Sequence, residues 1–231
     1  MMEKNKITVD NFNLSLSNNE VVFLAVECKT NITLTVKPNI SSKIIIIGNY
    51  DYDITINLEK ESCLVINSLN KDNSVNASIS LDNDATIYYN HSVLTNNNSI
   101  NNFNVNHCGN SSNSYLNNNG INRNDGKLFF NINGVIPKKL NNIICNQSSK
   151  IINFDNGCSK IIPNLIIDSN DIVANHSAYI GEIGEDELFY MQSRGISNED
   201  IKKMIYKAIL IGNMNIQEEK EELNKIINEW W

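Results

Sequence analysis

The hydrophobic residues of this chain lie in short runs between Ile7 and about Ile167. The runs are rich in β-branched residues or alternate with polar ones, and the segments between them are rich in asparagine, aspartate, serine and glycine. No window here has the i, i+3, i+4, i+7 spacing of an amphipathic helix. The pattern predicts strands and turns over the whole region. The runs read ITV, LSL, VVFLAV, ITLTV, KIIII, ITINL, CLVI, ASISL, ATIYY, LFFNI, NIIC, KIINF and NLIID.

Two all-β architectures compete for this region. A sandwich or barrel prefers hairpin turns, and the chain offers few candidates, such as Asp125-Gly126 and Asn133-Gly134. A parallel β-solenoid stacks short strands coil upon coil, and stacked asparagine can continue its hydrogen-bonded ladder. The chain has 44 asparagines, which favours the solenoid. Because no strict repeat length is visible, we predict an irregular β-helix. Residues 96–126, poor in apolar side chains, are expected to form a loop or an exposed edge coil.

The pattern becomes helical after Ile183. The segment GEDELFYMQSRGI predicts a short helix that ends at Gly195, with Arg194 in its last turn. Ser197 is predicted to cap a second helix, with Asp200 in the place of the capping-box glutamate. The apolar stripe predicted for that helix comprises Ile201, Met204, Ile205, Ala208 and Ile209.

A third helix is predicted from Ile216 to Trp231. Its first turns are rich in glutamate. We therefore predict a β-helix core domain over residues 1–183 and a C-terminal helical segment over residues 184–231. The apolar set of the third helix comprises Leu223, Ile226, Ile227 and Trp230.

Composition and charge narrow the function. With 231 residues and 41% hydrophobic residues, the chain can bury a continuous core. A net charge of −7 and the absence of a basic stripe argue against nucleic-acid binding. No signal sequence and no membrane-length apolar segment is visible, so we expect a cytoplasmic protein with no membrane contact. Five scattered cysteines without a CxxC pair indicate reduced thiols rather than disulfides or structural zinc.

Three histidines are the first candidates for chemistry. We expect His91 to be a solvent-facing turn residue. His107 and Cys108 are adjacent in a polar segment, and adjacent residues of an extended chain point to opposite faces, so they are poorly placed to share a metal. The sequence has no GxSxG, phosphate-binding glycine loop or HExxH motif, which indicates a non-catalytic protein.

Cys158 and His176 form a more specific candidate site. They are 18 residues apart, close to one coil of many solenoids, so they could lie on neighbouring coils about 4.8 Å apart. A thiolate and an imidazole at that spacing suit iron or zinc. The competing interpretation makes Cys158 a small buried apolar residue and His176 a hydrogen-bonded core residue.

The segment DIVANHSAYIGEIGEDELFYMQSRGISNEDIKKMIYKAIL, residues 171–210, resembles the C-terminal signature of the SufB/SufD family, the scaffold proteins of SUF iron-sulfur cluster assembly. That signature is approximately His-Gly-Ala-Thr-x-Gly, an acidic spacer, and Leu-Phe-Tyr-x-x-Ser-Arg-Gly-Ile. Residues 127–136 and 158–172 are similar to the last β-helix coils of the family, whereas residues 1–95 match only in strand character. The matching positions are His176, Ala178, Gly181, Leu188, Phe189, Tyr190, Ser193, Arg194, Gly195 and Ile196.

The resemblance implies a right-handed parallel β-helix followed by C-terminal helices, with dimerisation between β-helix ends. It implies that a SufC-like ABC ATPase docks on the helical segment, and a cysteine desulfurase system is a further candidate partner. His176 matches a histidine of SufD-like members and Cys158 falls close to a cysteine of SufB-like members, which makes both candidate ligands of a transient iron-sulfur cluster. Whether the chain binds a flavin is left open. The candidate partner-binding residues are Leu188, Phe189, Tyr190, Arg194, Gly195, Ile201 and Ile205.

The chain also departs from the family pattern. Ser177 and Tyr179 replace the usual glycine and threonine, and strands begin by Ile7, where the family has a helical region. We therefore expect a reduced scaffold, in a homodimer or in a heterodimer with another SufB/SufD-like chain. The alternative is a metal-free β-solenoid interaction module whose asparagine-rich coils bind a protein.

Overall fold

The computed structural model describes residues 4–214, 216 and 219–230. Over these residues the chain forms fifteen strands and then three helices, numbered here in chain order. All strand pairs are parallel, and consecutive strands alternate between two sheets, so that each coil adds one strand to each sheet. The predicted parallel β-solenoid with C-terminal helices is therefore confirmed.

The odd-numbered strands form an eight-stranded sheet and the even-numbered strands a seven-stranded sheet. The odd strands are β1 (Lys4–Ile7), β3 (Val21–Val26), β5 (Ser41–Gly48), β7 (Cys63–Lys71), β9 (Thr86–Thr95), β11 (Asn113–Asn122), β13 (Asn141–Asn153) and β15 (Asp171–Gly181). The even strands are β2 (Asn11–Leu16), β4 (Thr30–Val36), β6 (Tyr52–Leu58), β8 (Val75–Leu81), β10 (Asn98–His107), β12 (Lys127–Ile136) and β14 (Cys158–Ile167).

The coils lengthen along the chain, which explains why the sequence has no fixed repeat. Hydrogen-bonded side chains on stacked strands are 20 residues apart at Asn11 and Asn31, and 23 apart at Asn67 and Asn90. The separation reaches 31 residues between Asn118 and Ser149. The strands lengthen from four to seven residues in β1–β4 to ten or more in β9–β15, while the corners keep two to five residues. The period therefore drifts although the strands stay in register.

Residues 96–126 are part of the solenoid, and the prediction of a loop or exposed edge coil is wrong. They contain all of β10 and all of β11, both central strands. Phe103 and Leu116 point into the core at alternate positions. Between them, asparagine side chains bond to asparagines of the neighbouring coil, as Asn102 does to Asn76 at 2.7 Å. Many polar side chains are thus hydrogen-bonded along the stack, so few apolar residues are enough.

The polar residues that separate the apolar runs form the corners of the solenoid. Asn39, Glu61, Asp84 and Ser111 have φ between 55° and 60°, a conformation that asparagine and aspartate tolerate better than most residues. The N–H of Glu61 donates to the carbonyl of Asn83 in the next coil at 2.9 Å. Corner backbone groups are thus paired between coils, as the strand groups are.

The helices are α1 (Glu185–Ser193), α2 (Asn198–Ile211) and α3 (Lys220–Glu229). Gly195 has φ of 80°, as expected for the residue after a helix, and the Asp200 N–H donates to Ser197 Oγ at 3.1 Å, as the predicted cap requires. The predicted apolar set of α3 is buried or partly buried. That helix begins at Lys220 rather than Ile216, and Trp231 lies outside the described residues.

The packed face of α2 differs from the predicted stripe. Its buried residues are Ile201, Tyr206, Leu210 and Ile211, whereas Met204 is 51% exposed. Apolar residues occupy most of the circumference of this helix, so its periodicity did not fix one face.

Helices α2 and α3 cover the outer face of the eight-stranded sheet. One continuous apolar cluster includes Tyr206 and Leu210 from α2 and Leu223, Ile227 and Trp230 from α3 and its end. The helices therefore share a core with the solenoid. The residues that the strands and corners contribute to this cluster include Phe23, Ile45, Ile47, Leu69, Leu94, Ile121, Ile152 and Phe154.

Candidate functional site

The C-terminal end of the solenoid is an open edge. Strand β14 pairs only with β12, and β15 pairs only with β13. Proline has no N–H for a ladder bond, and Pro163 in β14 fits an edge strand. Residues of both strands are exposed or half-buried. This end therefore presents unpaired backbone groups and half-buried apolar side chains, which another chain could cover.

His176 lies on the inner side of the last strand. It pairs in register with Gln147, and Gln147 lies between the sheets because its Nε2 donates to the Asn164 carbonyl of β14 at 3.2 Å. Gln147 is 3% exposed and its Oε1 has no hydrogen-bond partner. The His176 ring is exposed because no further coil covers it. It does not form the buried core residue of the competing interpretation.

Cys158 is the first residue of β14 and points to the outer face of the seven-stranded sheet. It pairs in register with the exposed Lys127. An open groove of about 450 Å³ surrounds it, with a nearly apolar lining that includes Ile100 and Phe129. Lys160 lies over the Phe129 ring at 5.7 Å. The thiol is exposed, so it is not a small buried apolar residue. Lys127 on the neighbouring strand and Lys160 two residues further along β14 lie on the same face.

The strand register does not place Cys158 and His176 on neighbouring coils of one sheet. A coil in this part of the chain has about 30 residues, as the 29-residue step between Asn146 and Asn175 illustrates. A separation of 18 residues therefore leads from one sheet to the other within the last coil. Cys158 faces outward and His176 inward, so the two side chains of one protomer do not converge.

His91 and His107 are both buried. The expectations that His91 is a solvent-facing turn residue and that His107 lies in a polar loop were therefore wrong. His91 lies inside β9, with Nδ1 3.0 Å from Ser68 Oγ. Burial lowers its pKa to about 3, and burial lowers the pKa of His107 to about 4. The ring nitrogens of His107 contact the hydroxyls of Ser112 and Ser114 at 2.8 and 3.0 Å. Both rings are neutral at pH 7. Both nitrogens of His107 are hydrogen-bonded, whereas the buried Nε2 of His91 has no hydrogen-bond partner.

Helix α1 is the part of the helical segment that the fold leaves uncovered. None of its residues is buried. Phe189 is 71% exposed and Tyr190 58% exposed, whereas Leu188 is half-buried. The Arg194 guanidinium donates to the Tyr190 hydroxyl at 2.8 Å and lies 5.0 Å from its ring centre. Arg194 and the exposed Gly195 end this helix in the order the signature gives.

Ile201 and Ile205 have a different setting. Ile201 is fully buried, and Ile205 is partly buried against the cluster that joins the helices to the sheet. Their side chains hold α2 in place, so a partner that binds this surface meets α1 first.

Among the residues described here, no three histidine, cysteine, aspartate or glutamate side chains converge in a way that could hold a metal ion. In the same part of the chain, no helix is both long enough and apolar enough to span a membrane.

Residues 9–209 match the family model for the SufBD core domain of SUF system FeS cluster assembly. The match covers the solenoid from β2 to β15, with α1 and most of α2. The chain therefore belongs to the SufBD core domain family, and the resemblance of residues 171–210 is confirmed.

Curated proteins that are similar to this chain carry SufD or SufBD family names. The chain is 26% identical over 125 residues to iron-sulfur cluster assembly protein SufD of Bacillus subtilis (strain 168), covering 52% of this chain and 29% of the relative. It is 39% identical over 46 residues to SufD of Escherichia coli (strain K12), covering 20% and 11%. It is 36% identical over 59 residues to the SufBD family protein slr0074 of Synechocystis, covering 26% and 12%. The matched parts thus span less than a third of each relative.

Sequence reasoning missed the surroundings of both candidate ligands. Lys127 and Phe129 beside Cys158, and Gln147 beneath His176, come from strands about 30 residues away. These neighbours could have been predicted only from the number of residues per coil, and that number changes along the chain.

Proposed function

We propose that this chain is a non-catalytic scaffold of iron-sulfur cluster assembly, in which Cys158 and His176 bind a nascent cluster as cargo where two chains meet. The open β14–β15 edge carries this proposal. It exposes a thiol and an imidazole, the side chains that bind iron and sulfur clusters in proteins, at the end of a fold shared with the SufBD core domain family.

A second chain is needed because one protomer offers its two candidate ligands on different sides. Cys158 lies on the outer face of β14, and His176 on the inner side of β15. A second SufB/SufD-like chain, identical or different, would cover the unpaired edges and bring its own ligands to the same place. The ammonium groups of Lys127 and Lys160 favour anionic sulfur species beside the Cys158 thiol.

Anaerobic reconstitution with ferrous iron and sulfide tests the ligands. We expect Cys158→Ser and His176→Ala to lose most of the visible absorbance of the cluster. Cys108→Ser is the matched control, because Cys108 is also an exposed free thiol and lies away from the edge. Identical spectra for wild type and Cys158→Ser would refute the ligand assignment and leave a metal-free interaction module as the better reading.

We further propose that α1 docks a SufC-like ABC ATPase, with residues 1–183 as the scaffold and residues 184–231 as the partner-binding segment. Exposed Phe189 and Tyr190, without support from the core, suit a partner surface. ATP hydrolysis on the partner would move α1, which directly follows the strand of His176, and so reshape the cluster site.

Point substitutions test this better than truncation, because removing α2 and α3 would uncover the apolar face of the sheet. We expect Phe189→Ala with Tyr190→Ala to abolish co-purification with a SufC-like ATPase while the circular dichroism spectrum stays unchanged. Met204→Ala, an exposed apolar residue on α2, is the control and should bind as wild type does. Retained binding by the double variant would refute the dock.

A further inference from the structure

The chain contains three asparagine–glycine pairs in different structural settings. Asn119-Gly120 lies inside β11, Asn133-Gly134 lies inside β12, and Asn156-Gly157 lies in the corner between β13 and β14. Glycine lets the chain bend freely and shields its own nitrogen least, so an asparagine before glycine is the pair most open to cyclisation. The fold decides which pair can react.

The reaction needs only water. The backbone nitrogen of the glycine attacks the side-chain carbonyl carbon of the asparagine. A carbon–nitrogen bond forms, the bond from that carbon to Nδ2 breaks, and ammonia leaves with the proton of the attacking amide. Water then opens the five-membered succinimide at either carbonyl, giving aspartate or isoaspartate.

The two strand pairs are protected from this attack. Gly134 lies between Val105 and Leu165 in a central strand, where ladder pairing keeps the backbone extended. The side chain of Asn133 donates to Asn104 at 2.7 Å and accepts from Asn164 at 2.8 Å. An extended backbone holds the side chain away from the following nitrogen.

Asn119-Gly120 is protected in the same way, because β11 pairs with both β9 and β13, and Asn119 is itself buried. Packing adds to the restraint: a Cβ on Gly120 would lie 2.4 Å from Leu128, so the backbone has no room to rearrange.

The third pair has none of this protection. Asn156 is exposed, and its side-chain amide donates one long bond, 3.4 Å, to Asp125. The attacking nitrogen of Gly157 donates to the Phe154 carbonyl at 3.3 Å, also a weak bond. We propose that Asn156 is a site of spontaneous deamidation, a covalent modification that the fold permits here and suppresses at the other two pairs.

The preceding coil indicates what the products do. Its corner has the same turn, with Asp125 in the place of Asn156 and Gly126 in the place of Gly157, so the turn itself accepts an aspartate. Deamidation would stack a second carboxylate on Asp125, beside Asp155. Isoaspartate would also lengthen the main chain by one carbon just before Cys158, whose N–H donates to the Gly126 carbonyl at 2.9 Å. The modification would thus alter the start of the edge strand that carries the exposed thiol.

Peptide mapping of the full chain after incubation at mildly alkaline pH tests the site. Trypsin separates the three pairs, since Lys150 and Lys160 bracket Asn156, and Lys127 and Lys138 bracket Asn133. We expect the mass increase of an amide-to-acid change, and an isoaspartate product, in the peptide 151–160, while the other two pairs stay unmodified. Asn156→Gln should remove the signal, because glutamine would have to form a larger ring.

Incubation in concentrated urea provides the control for the fold. There all three pairs are expected to react at similar rates. Native-state conversion of Asn119 or Asn133 as fast as Asn156 would overturn the proposal, as would an intact Asn156 at a time when the unfolded chain has converted.

The effect on the thiol has its own measurement. In Asn156→Asp, alkylation of Cys158 by iodoacetate should slow relative to alkylation of Cys108 in the same sample, because the added carboxylate at this corner repels the anionic reagent. An unchanged ratio of the two rates would refute the link between Asn156 and Cys158, whether or not Cys158 binds a cluster.

Discussion

The outer faces of the two sheets differ although the strands that form them are alike. The eight-stranded sheet presents Phe23, Ile45 and Leu69, all covered by α2 and α3. The seven-stranded sheet presents mostly polar side chains to solvent, with asparagines bonded from coil to coil, apart from the apolar groove beside Cys158. Residues that point inward from both sheets form the apolar core of the solenoid. Residues that point outward determine whether the face is covered by helices or exposed to solvent.

The same contrast exists within the asparagine ladders. Asn67 and Asn90 bond to each other at 2.9 Å beneath the helices, where Asn67 is fully buried. Asn76 and Asn102 form the same bond on the bare sheet. The same hydrogen bond is thus present once beneath the helices and once in contact with solvent. Comparing the two bonds measures how burial changes their contribution to stability.

The largest expected effect is on the covered face. Ile45→Ala removes a fully buried side chain from the apolar cluster between sheet and helices and should lower the free energy of unfolding by about 3 kcal/mol. Urea unfolding followed by circular dichroism measures it. Thr55→Ala, an exposed β-branched residue on the bare sheet, is the matched control and should stay within about 0.5 kcal/mol. Equal losses would mean that the helices contribute little.

The interior where the two sheets meet should respond to pH through His91. Its ring contacts Phe103 and Phe130 of the seven-stranded sheet, with ring centres 5.0 and 5.9 Å apart. The folded pKa of about 3 lies below the unfolded value of 6.5, so the unfolded chain binds the proton first. The stability that this ring contributes is present above pH 6.5 and is lost as pH falls towards 3.

Between pH 7 and pH 5 the loss that is due to His91 should be about 2 kcal/mol. His91→Asn, which keeps a polar group at the position, should show a correspondingly smaller loss over the same range in urea unfolding. A pH dependence identical to that of wild type would show that the ring is not kept neutral in the folded chain.

A smaller effect is expected at the ion pair that fixes the start of α3. Lys43 Nζ lies 2.8 Å from Glu219 Oε1, and the Glu219 side chain is 4% exposed. Lys43→Met leaves that carboxylate buried without its partner and should cost about 1.5 kcal/mol, less than for a fully buried pair because water reaches Lys43. Lys37→Met breaks an exposed pair with Glu59 and should change unfolding by less than about 0.5 kcal/mol. A cost for Lys37→Met as large as that for Lys43→Met would contradict the role of burial.

The smallest effect separates the two ladders. Asn102→Ala on the bare sheet should cost about 0.5 kcal/mol, because water replaces the lost bond. Asn90→Ala beneath the helices should cost about twice as much, since it leaves the buried Asn67 amide without its partner. Denaturant unfolding of the two variants side by side gives the ratio. Equal losses for the two variants would show that burial beneath the helices does not change the contribution of these hydrogen bonds to stability.

The local sequence pattern correctly predicted most of the strands, the end of α1 and the start of α2. The predicted runs from Ile7 to Ile167 lie in or next to strands, and Ser197 and Gly195 bound their helices as predicted. The pattern failed for residues 96–126, because stacked asparagines replace apolar residues there. It also failed for α2, whose sequence is apolar on several faces and whose packed face was chosen by the sheet.

The sequence by itself determined the solenoid, the helical C-terminus and the family, because inward alternation, caps and the residues around His176 are local features. Only the tertiary structure decided which residues meet. Lys127 and Phe129 reach Cys158, and Gln147 lies beneath His176, through coils whose length changes along the chain. A period that drifts cannot be extrapolated from sequence spacing, so the contacts between coils depend on the register of the folded strands.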